Sequence, residues 1–341
     1  MTSNRTGPPG TLAILPRYVW KMVLIPAFVL LQTQTVSPTL TTLRQQAVAV
    51  APLVKSKLAE DWLKGADKFP EPTPRSMYRG SKWMSQAALD ALPPEDKAKA
   101  KKTDVDAELY YNTRYGTPIA YARAVDLAGQ NGVKNLKRSK VMDFGYGGIG
   151  QLRLFANLGA EAVGVDVDPF LSALYALPED RGAYGSGSVR LVEGRFPASA
   201  AIVSEVGSGY DLIISKNTLK RGYIHPSRPA DKRMLIDLGV SDSQFLAAMY
   251  GAVKPGGLFV IYNLCPAEAP LDKPYVPWAD GHSPFTKQDY ETAGFKVKAL
   301  DVDDMQNIRQ LAHILGWDQG EGAMDIKNDL FAWYTILLRP R

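Results

Sequence analysis

Cysteine and histidine are scarce in this chain, and their scarcity excludes several kinds of site. Cys265 is the single cysteine in 341 residues, so neither an internal disulfide framework nor a metal site made of several cysteines is possible. The three histidines, His225, His282 and His313, lie too far apart in sequence to form a local metal-binding pair on one helix. The sequence therefore predicts no metal centre.

Acidic residues are absent from the first 59 positions, which carry six basic residues. The whole chain has 40 Lys and Arg against 35 Asp and Glu, so removing those six leaves 34 basic and 35 acidic residues in the remainder. Because this remainder is close to neutral, its charge does not indicate a nucleic-acid-binding surface.

Long apolar runs are missing as well, and no stretch predicts a transmembrane helix. The run 22–31 follows Arg17 and Lys21 and is too short to span a bilayer comfortably. Basic residues before a short apolar run are typical of a secretory signal, and the acid-free composition also fits an organellar transit peptide. Residues 1–51 are therefore predicted to be a targeting or anchoring leader, disordered or removed, with small-residue cleavage candidates at 47–49. This predicts export, membrane anchoring or organelle targeting rather than a plain cytoplasmic location, with membrane contact only through this segment.

Residues 52–130 are predicted to form a helical N-terminal cap. Proline-rich residues 70–76 indicate a surface crossing, and the charged run 93–102 indicates a solvated helix face. The aromatic-rich segment 108–126 has two interpretations: it packs against a sheet edge, or it closes as a lid that brings Tyr111, Arg114 or Tyr115 over a ligand pocket.

The stretch 140–166 is the one around which the rest of the chain is organised. Its first apolar run ends at Asp143, four glycines follow within positions 145–150, and a second apolar run ends at Asp166. Strand, glycine-rich turn, helix and strand in this order predict a βαβ unit with a ligand cradle at its first turn. Glycines suit such a turn because they let the backbone approach a ligand closely.

Five further strand signals follow at the spacing of an α/β fold. They lie at residues 189–192, 211–215, 258–262, 295–300 and 331–338. Helices are predicted between them, with Asp168 as the N-cap of the first. Residues 131–341 are therefore predicted to form one α/β domain with a mostly parallel seven-stranded sheet and helices on both faces.

Together these landmarks resemble the class I S-adenosylmethionine-dependent methyltransferases, over about residues 141–338. The resemblance rests on Asp143-Phe-Gly145-Tyr-Gly147, on Asp166, on the fourth-strand segment 211–217 (DLIISKN) and on the Lys-Pro-Gly-Gly turn at 254–257. It implies a Rossmann-like methyltransferase fold, S-adenosylmethionine as cofactor and a small-molecule acceptor. In that family the glycine turn holds the methionine part of the cofactor and the second-strand acid holds the ribose.

This sequence departs from the family pattern in three places. Ile149 stands where the third glycine is usual, and Glu193-Gly194-Arg195 replaces the usual acid near the adenine. The Asn/Asp-Pro-Pro-aromatic signature of many amino-group methyltransferases is missing, which disfavours methylation of bases or amides. The cofactor-binding residues that the resemblance implies are Asp143, Gly145, Tyr146, Gly147, Asp166, Val167, Glu193, Arg195, Phe196, Lys216, Asn217 and Tyr115.

Two other functions remain open. Residues 145–150 read as GxGxxG, with Asp166 21 residues after Gly145, which is close to the fingerprint of NAD(P)-dependent oxidoreductases. Asp143 argues against this alternative, because a pyrophosphate gains nothing from a nearby anion whereas a cationic sulfonium does. A methyltransferase-like domain that binds without turnover is the second alternative.

Catalytic residues are harder to predict, because methyl transfer mainly requires alignment and exclusion of water. The insert 219–237 carries six basic side chains, which would fit an acidic acceptor. His225 within it and His282 are the candidate general bases, since imidazole titrates near neutral pH. Lys216 follows the fourth strand, where it could orient the acceptor.

Overall fold

The structure, a computed structural model, describes residues 36–112 and 116–341. The predicted leader up to residue 35 and the lid candidates Arg114 and Tyr115 lie outside this range, whereas the third lid candidate, Tyr111, is buried in the core and does not line the cavity described below. The described α-helices are α1 Pro38–Val50, α2 Lys57–Lys64, α3 Gln86–Asp90, α4 Pro94–Lys97, α5 Ala107–Tyr111, α6 Ala122–Gln130, α7 Gly150–Asn157, α8 Pro169–Leu174, α9 Ala200–Val206, α10 Arg221–Ile224, α11 Asp242–Ala252, α12 Lys287–Thr292 and α13 Met305–Ile314. The described strands are β1 Arg75–Arg79, β2 Trp83–Ser85, β3 Lys101–Val105, β4 Lys140–Phe144, β5 Glu161–Asp166, β6 Gly182–Tyr184, β7 Gly187–Glu193, β8 Tyr210–Lys216, β9 Val253–Cys265, β10 Lys296–Asp303 and β11 Phe331–Leu338.

The larger sheet has eight strands in the order β10-β11-β9-β8-β4-β5-β7-β6. Neighbouring strands from β7 through β5, β4 and β8 to β9 are parallel, whereas β11 runs antiparallel to both β9 and β10. Numbered from β4 and without β6, the strand order is 3-2-1-4-5-7-6. The predicted Rossmann-like α/β fold with a mostly parallel sheet is therefore confirmed.

The predicted count of seven strands is one too low. The extra strand, β6, pairs antiparallel with β7 at the sheet edge, through a tight turn in which Gly185 has φ 58°. Three residues with partly exposed side chains give no alternating apolar pattern, so the sequence offered no strand signal there.

The central strands and the helix starts follow from local sequence. Leu212, Ile213 and Ile214 of β8 are all fully buried, as expected for a strand covered on both faces. Ser241 caps α11 by accepting a hydrogen bond from the Gln244 amide, and Asp168 caps α8 in the same way from the Phe170 amide at 3.0 Å.

Two apolar cores lie on the two faces of this sheet. One includes Leu212, Val260 and Tyr262 together with side chains of α1, α2 and α6. The other includes Ile213, Phe259 and Phe245 of α11. Residues of the predicted cap therefore share a core with the sheet, and Val36–Arg341 forms one compact unit.

The N-terminal region is less helical than predicted. β1, β2 and β3 form a separate antiparallel sheet in the order β2-β1-β3, and only Pro94–Lys97 of the predicted helix 93–102 is helical. These strands are three to five residues long and largely polar, which is why their sequence reads as a surface helix and linker.

Part of the predicted leader is folded. Within α1 the side chains of Leu40, Leu43, Ala47 and Val50 are buried in the core, so the cleavage candidates at 47–49 fall in a packed helix. Among the described residues, no helix combines the length and apolarity needed to cross a bilayer.

Candidate active site

A cavity of about 510 Å³ opens at the carboxyl ends of β4, β5, β7 and β8. This is the edge where open α/β sheets bind ligands, and the volume is typical of a small-molecule site. The cavity is lined by Tyr121, Phe144, Gly145, Val165, Asp166, Val167, Asp168, Gly194, Arg195, Phe196, Lys216, Asn217, Thr218, Lys220, Tyr223, Ile236, Asp237 and Leu238.

The glycine turn after β4 forms one wall of the cavity. Gly145 has φ 75°, a left-handed conformation that favours glycine, and its amide donates to the Val165 carbonyl at 2.8 Å. A Cβ added to Gly145 would lie 2.7 Å from the Thr218 Cβ and closer still to its hydroxyl. The turn therefore packs against the segment that follows β8, with no room for a side chain between them. Gly147, with φ 57°, belongs to the same turn but does not line the cavity.

Asp166 closes β5 and presents its carboxylate at the cavity. Its Oδ1 accepts from the amides of Val167 at 2.8 Å and Asp168 at 3.1 Å, and its Oδ2 accepts from the Gly147 amide at 3.4 Å. Backbone donors thus orient the carboxylate beside the glycine turn. This is the position that the resemblance assigns to the ribose.

Asp143 lies behind the cavity rather than in its lining. It is fully buried, and its Oδ2 accepts from Gln151 Nε2 at 2.9 Å, while its Oδ1 has no well-formed hydrogen bond within the described residues. Burial raises the pKa of Asp143 to about 7, although Gln151, the Tyr121 hydroxyl and Lys216 each lower it. Tyr121, by contrast, does line the cavity.

Two buried lysines, one at the end of β8 and one four residues later, also line the cavity. Burial lowers the pKa of Lys216 to about 8 and that of Lys220 to about 8. Lys220 Nζ donates to the carbonyls of Trp278, at 3.1 Å, and of Leu264. Lys216 Nζ lies 5.2 Å from the centroid of the Tyr121 ring and has no hydrogen bond or ion pair to any other described residue.

The predicted adenine-side residues are split between the cavity and the surface. Arg195 and Phe196 line the cavity, as does Val167, whereas Glu193 is exposed outside it. Arg195 also forms an ion pair at 2.7 Å with Asp237, which belongs to the insert after β8. The insert therefore forms the far wall of the cavity.

Neither predicted histidine base lines the cavity, which is a correction to the sequence analysis. His225 Nε2 pairs with Asp242 at 2.8 Å, and His282 lies 3.1 Å from Asp280 with its ring stacked on Trp333. Both side chains are occupied in binding neighbouring acids and rings, so this conformation leaves neither one to act as a base in the cavity.

Tyr146 is also absent from the cavity lining. It is buried, and its ring centroid lies 6.3 Å from that of Tyr175 in the core. Of the predicted cofactor residues, those that the structure brings together around the cavity are Gly145, Asp166, Val167, Arg195, Phe196, Lys216 and Asn217.

Sequence reasoning missed the side chains that approach from outside the βαβ unit. Tyr223 and Ile236 come from the insert after β8, Thr218 and Leu238 flank that insert, and Tyr121 comes from the helical turn before α6. The unusual length of the insert was the available signal, but it identifies no individual residue.

One group of side chains among the described residues has the spacing of a metal site. Ligand atoms of Glu268, Asp280 and His282 lie within 4.8 Å of one another. Arg221 Nε binds Asp280 at 2.7 Å, and this cation, with His282, holds the pKa of Asp280 at about 2. An arginine inside the cluster already neutralises its buried acid, so the group fits an internal ion pair better than a metal site.

No protein-family model and no curated protein matches the chain. Solved structures resemble it at low identity. Phosphoethanolamine N-methyltransferase 2 from Haemonchus contortus, in complex with phosphomonomethylethanolamine and S-adenosylhomocysteine, is 12% identical over 84% of this chain and 75% of its own, with a TM-score of 0.42. A methyltransferase from Geobacter sulfurreducens in complex with S-adenosylhomocysteine is 13% identical over 64% and 91%, with a TM-score of 0.37. The cyclase SpnF is 16% identical over 64% and 80%, also with a TM-score of 0.37. Similarities this weak decide no activity, and one of the three proteins is a cyclase.

Proposed function

We propose that this protein is an S-adenosylmethionine-dependent methyltransferase that acts on a small-molecule acceptor. The observation that supports this function best is the reversed strand β11 between β9 and β10, combined with a cavity at the ends of β4 and β5. The dinucleotide-binding fold that would serve an oxidoreductase has the order 3-2-1-4-5-6, in which no strand is inserted between the fifth and sixth. The strand order thus favours the methyltransferase over the oxidoreductase.

The residues present fit the proposed cofactor. Asp166, fixed by three backbone amides, can accept hydrogen bonds from ribose hydroxyls, and Val167 and Phe196 offer apolar contacts to an adenine. The buried Asp143, with one oxygen lacking a well-formed hydrogen bond, would favour a nearby positive charge. When bound, the cofactor would supply a methyl group carried on a sulfonium. The protein's own task is then to hold the acceptor in line and to exclude water.

The acidic acceptor suggested by the basic insert gains little support from the contacts of the insert. Arg221 binds Asp280, Arg233 binds Asp231, and Arg228 donates to backbone carbonyls between residues 269 and 273. These charges stabilise the insert itself. We therefore leave the charge of the acceptor open and propose only that it is a small molecule.

The location of the protein is a separate proposal. The composition of the first 35 residues supports targeting out of the cytoplasm. A fluorescent fusion of the full chain, compared with a fusion that lacks residues 1–35, would test it. An identical distribution of the two fusions would overturn the targeting role.

Calorimetric titration of the full chain with S-adenosylmethionine, S-adenosylhomocysteine, NADH and NADPH tests the proposed function. We expect micromolar binding of the two adenosyl compounds alone, and a loss of at least tenfold in Asp166→Asn. Asp67→Asn changes an exposed acid outside the cavity and is the matched control. Binding of a nicotinamide nucleotide instead would show that the glycine turn holds a pyrophosphate and would overturn the proposal.

A further inference from the structure

The two buried lysines of the cavity have different surroundings, which suggests different roles. Lys220 Nζ has two carbonyl acceptors, so its protonated form is well solvated by the protein. Lys216 is 6% exposed, and its Nζ has no hydrogen bond or ion pair among the described residues; the Tyr121 ring lies 5.2 Å away and the Asp143 carboxylate acts on it only at longer range. An ammonium at this position lacks acceptors for its three N–H groups, whereas a neutral amine presents a lone pair toward the cavity.

The titratable groups that surround Lys216 determine which side chains in this part of the cavity can gain or lose a proton. Asp143 of β4 faces it as the counter-charge, with Asp166 of β5 beyond, and Lys220 is the neighbouring cation. Tyr121, and Tyr262 on the adjacent strand β9, complete the surroundings, and burial raises the pKa of both phenols far above neutrality. Lys216, Lys220 and Asp143 are therefore the groups here whose ionisation can respond to a ligand near pH 7, and Lys220 differs from Lys216 in that two carbonyls accept from its ammonium.

Counting charges shows why this matters for the proposed function, on which this inference rests. A bound sulfonium next to a protonated Lys216 would place two positive charges against the single buried carboxylate of Asp143. Burying an uncompensated charge is costly, and the amine can avoid that cost by releasing its proton. We propose that Lys216 is a neutral amine in the cofactor complex and that it accepts the proton which the acceptor loses.

The charge of the site is then the same before and after the reaction. Methylation of an acceptor oxygen or nitrogen forms one bond to carbon and breaks the carbon–sulfur bond, leaving its electron pair on sulfur. The acceptor's proton moves to Lys216 Nζ. The sulfonium charge disappears as the ammonium charge forms, so Asp143 faces one cation throughout.

This role also defines the class of acceptor. The acceptor must carry a proton that it loses on methylation, as a hydroxyl or an N–H group does. Tertiary amines and thioethers release no proton when methylated, so they would have no use for the lone pair of Lys216.

The test measures the binding of S-adenosylmethionine and of S-adenosylhomocysteine, whose sulfur is uncharged, by calorimetry on the full chain between pH 6.5 and 8.5. In the wild type, the ratio of the two affinities should shift about tenfold in favour of the sulfonium as pH rises, because Lys216 loses its charge over this range. Lys216→Arg keeps a permanent charge, so the ratio of its affinity for S-adenosylmethionine to its affinity for S-adenosylhomocysteine should stay low and vary far less with pH. Lys298→Arg, the same change at an exposed lysine outside the cavity, should behave as the wild type. Ionisation of the ligands themselves is common to all three proteins and cancels.

Each outcome has a distinct meaning. If Lys216→Arg retains the full pH dependence, Asp143 or Lys220 carries it and the role of Lys216 is overturned. If neither compound binds the wild type, the proposed function itself fails. If Lys216→Arg does not fold, the number of protons released on ligand binding tests the proposal instead. It is measured on the wild type at pH 7.5 by titration in two buffers of different ionisation enthalpy. The sulfonium should release roughly 0.7 proton more than S-adenosylhomocysteine, and equal proton release would overturn the proposal.

Discussion

Replacing Gly145 by alanine separates two reasons for a glycine in the turn that holds the cofactor site. The φ of 75° costs an L-residue about 1–2 kcal/mol wherever it occurs. The added Cβ would also lie 2.7 Å from both the Cβ and the Cγ2 of Thr218, and such overpacking costs a further ~1–3 kcal/mol. We therefore expect Gly145→Ala to lower the free energy of unfolding by about 2–5 kcal/mol, the sum of these two ranges. Its affinity for S-adenosylhomocysteine should fall as Thr218 is displaced from the cavity wall.

The chain provides a matched control for the conformational part of this cost. Gly320 has φ 77° and nothing within 4 Å of an added Cβ, so Gly320→Ala should lose only about 1–2 kcal/mol and keep its ligand affinity. Urea denaturation of both variants measures the difference directly. Adding Thr218→Gly to Gly145→Ala should recover the steric part. Equal destabilisation of the two alanine variants, or no recovery in the double variant, would refute this account of the turn.

Three further sets of substitutions test the buried acid Asp143, the packing of α1 and the position of the two histidines. Burial raises the pKa of Asp143 from 3.8 to about 7. Between pH 4 and pH 7 the folded state therefore holds a proton that the unfolded state has released, so the free energy of unfolding falls as the pH rises over this range. Asp143→Asn should therefore be more stable than the wild type by up to roughly 4 kcal/mol at pH 8 in urea denaturation, a gain that disappears by pH 4, while its binding of the sulfonium weakens. Leu43→Ala on the buried face of α1 should cost about 2–5 kcal/mol, whereas Val48→Ala on its exposed face should cost almost nothing. His225→Gln and His282→Gln should leave S-adenosylhomocysteine affinity unchanged by calorimetry, and a tenfold loss in either variant would place that side chain at the site after all.

The sequence predicted the parts of the fold that local patterns encode. The apolar run 211–215 was predicted as a strand and lies within β8, with Leu212, Ile213 and Ile214 fully buried, and Asp168 caps the helix that follows it, as predicted. The order of acid, glycine turn and acid around 143–166 placed Asp166 and Gly145 at the cavity before any contact was known. These features depend on neighbours within a few residues of one another.

What the sequence could not predict depends on contacts between distant segments. Tyr121 lines the cavity because the helical turn before α6 packs against α7 and brings the Tyr121 ring to 5.2 Å from Lys216 Nζ. No local pattern distinguishes this tyrosine from Tyr110, which lies in the core. Lysines are usually exposed, so the burial of Lys216 became evident only from the neighbours that surround it. The same holds for α1, where a short apolar pattern within an acid-free segment was taken for a leader.

The basic insert shows why a count of charges is a poor guide to an acceptor. Its sequence offers six positive groups, but in the fold most of them bind the protein itself, and Lys232 is the one whose side chain has neither an ion pair nor a hydrogen bond among the described residues. The insert presents Lys220, Tyr223, Ile236 and Asp237 to the cavity, and Leu238 follows it; of these, Lys220 and Asp237 are themselves held by contacts with the protein. Apolar and aromatic walls select ligands by shape and by exclusion of water, and a water-poor cavity also lowers the affinity of Lys216 for its proton. The insert therefore supplies apolar and aromatic wall to the cavity, and its charges hold it in that position.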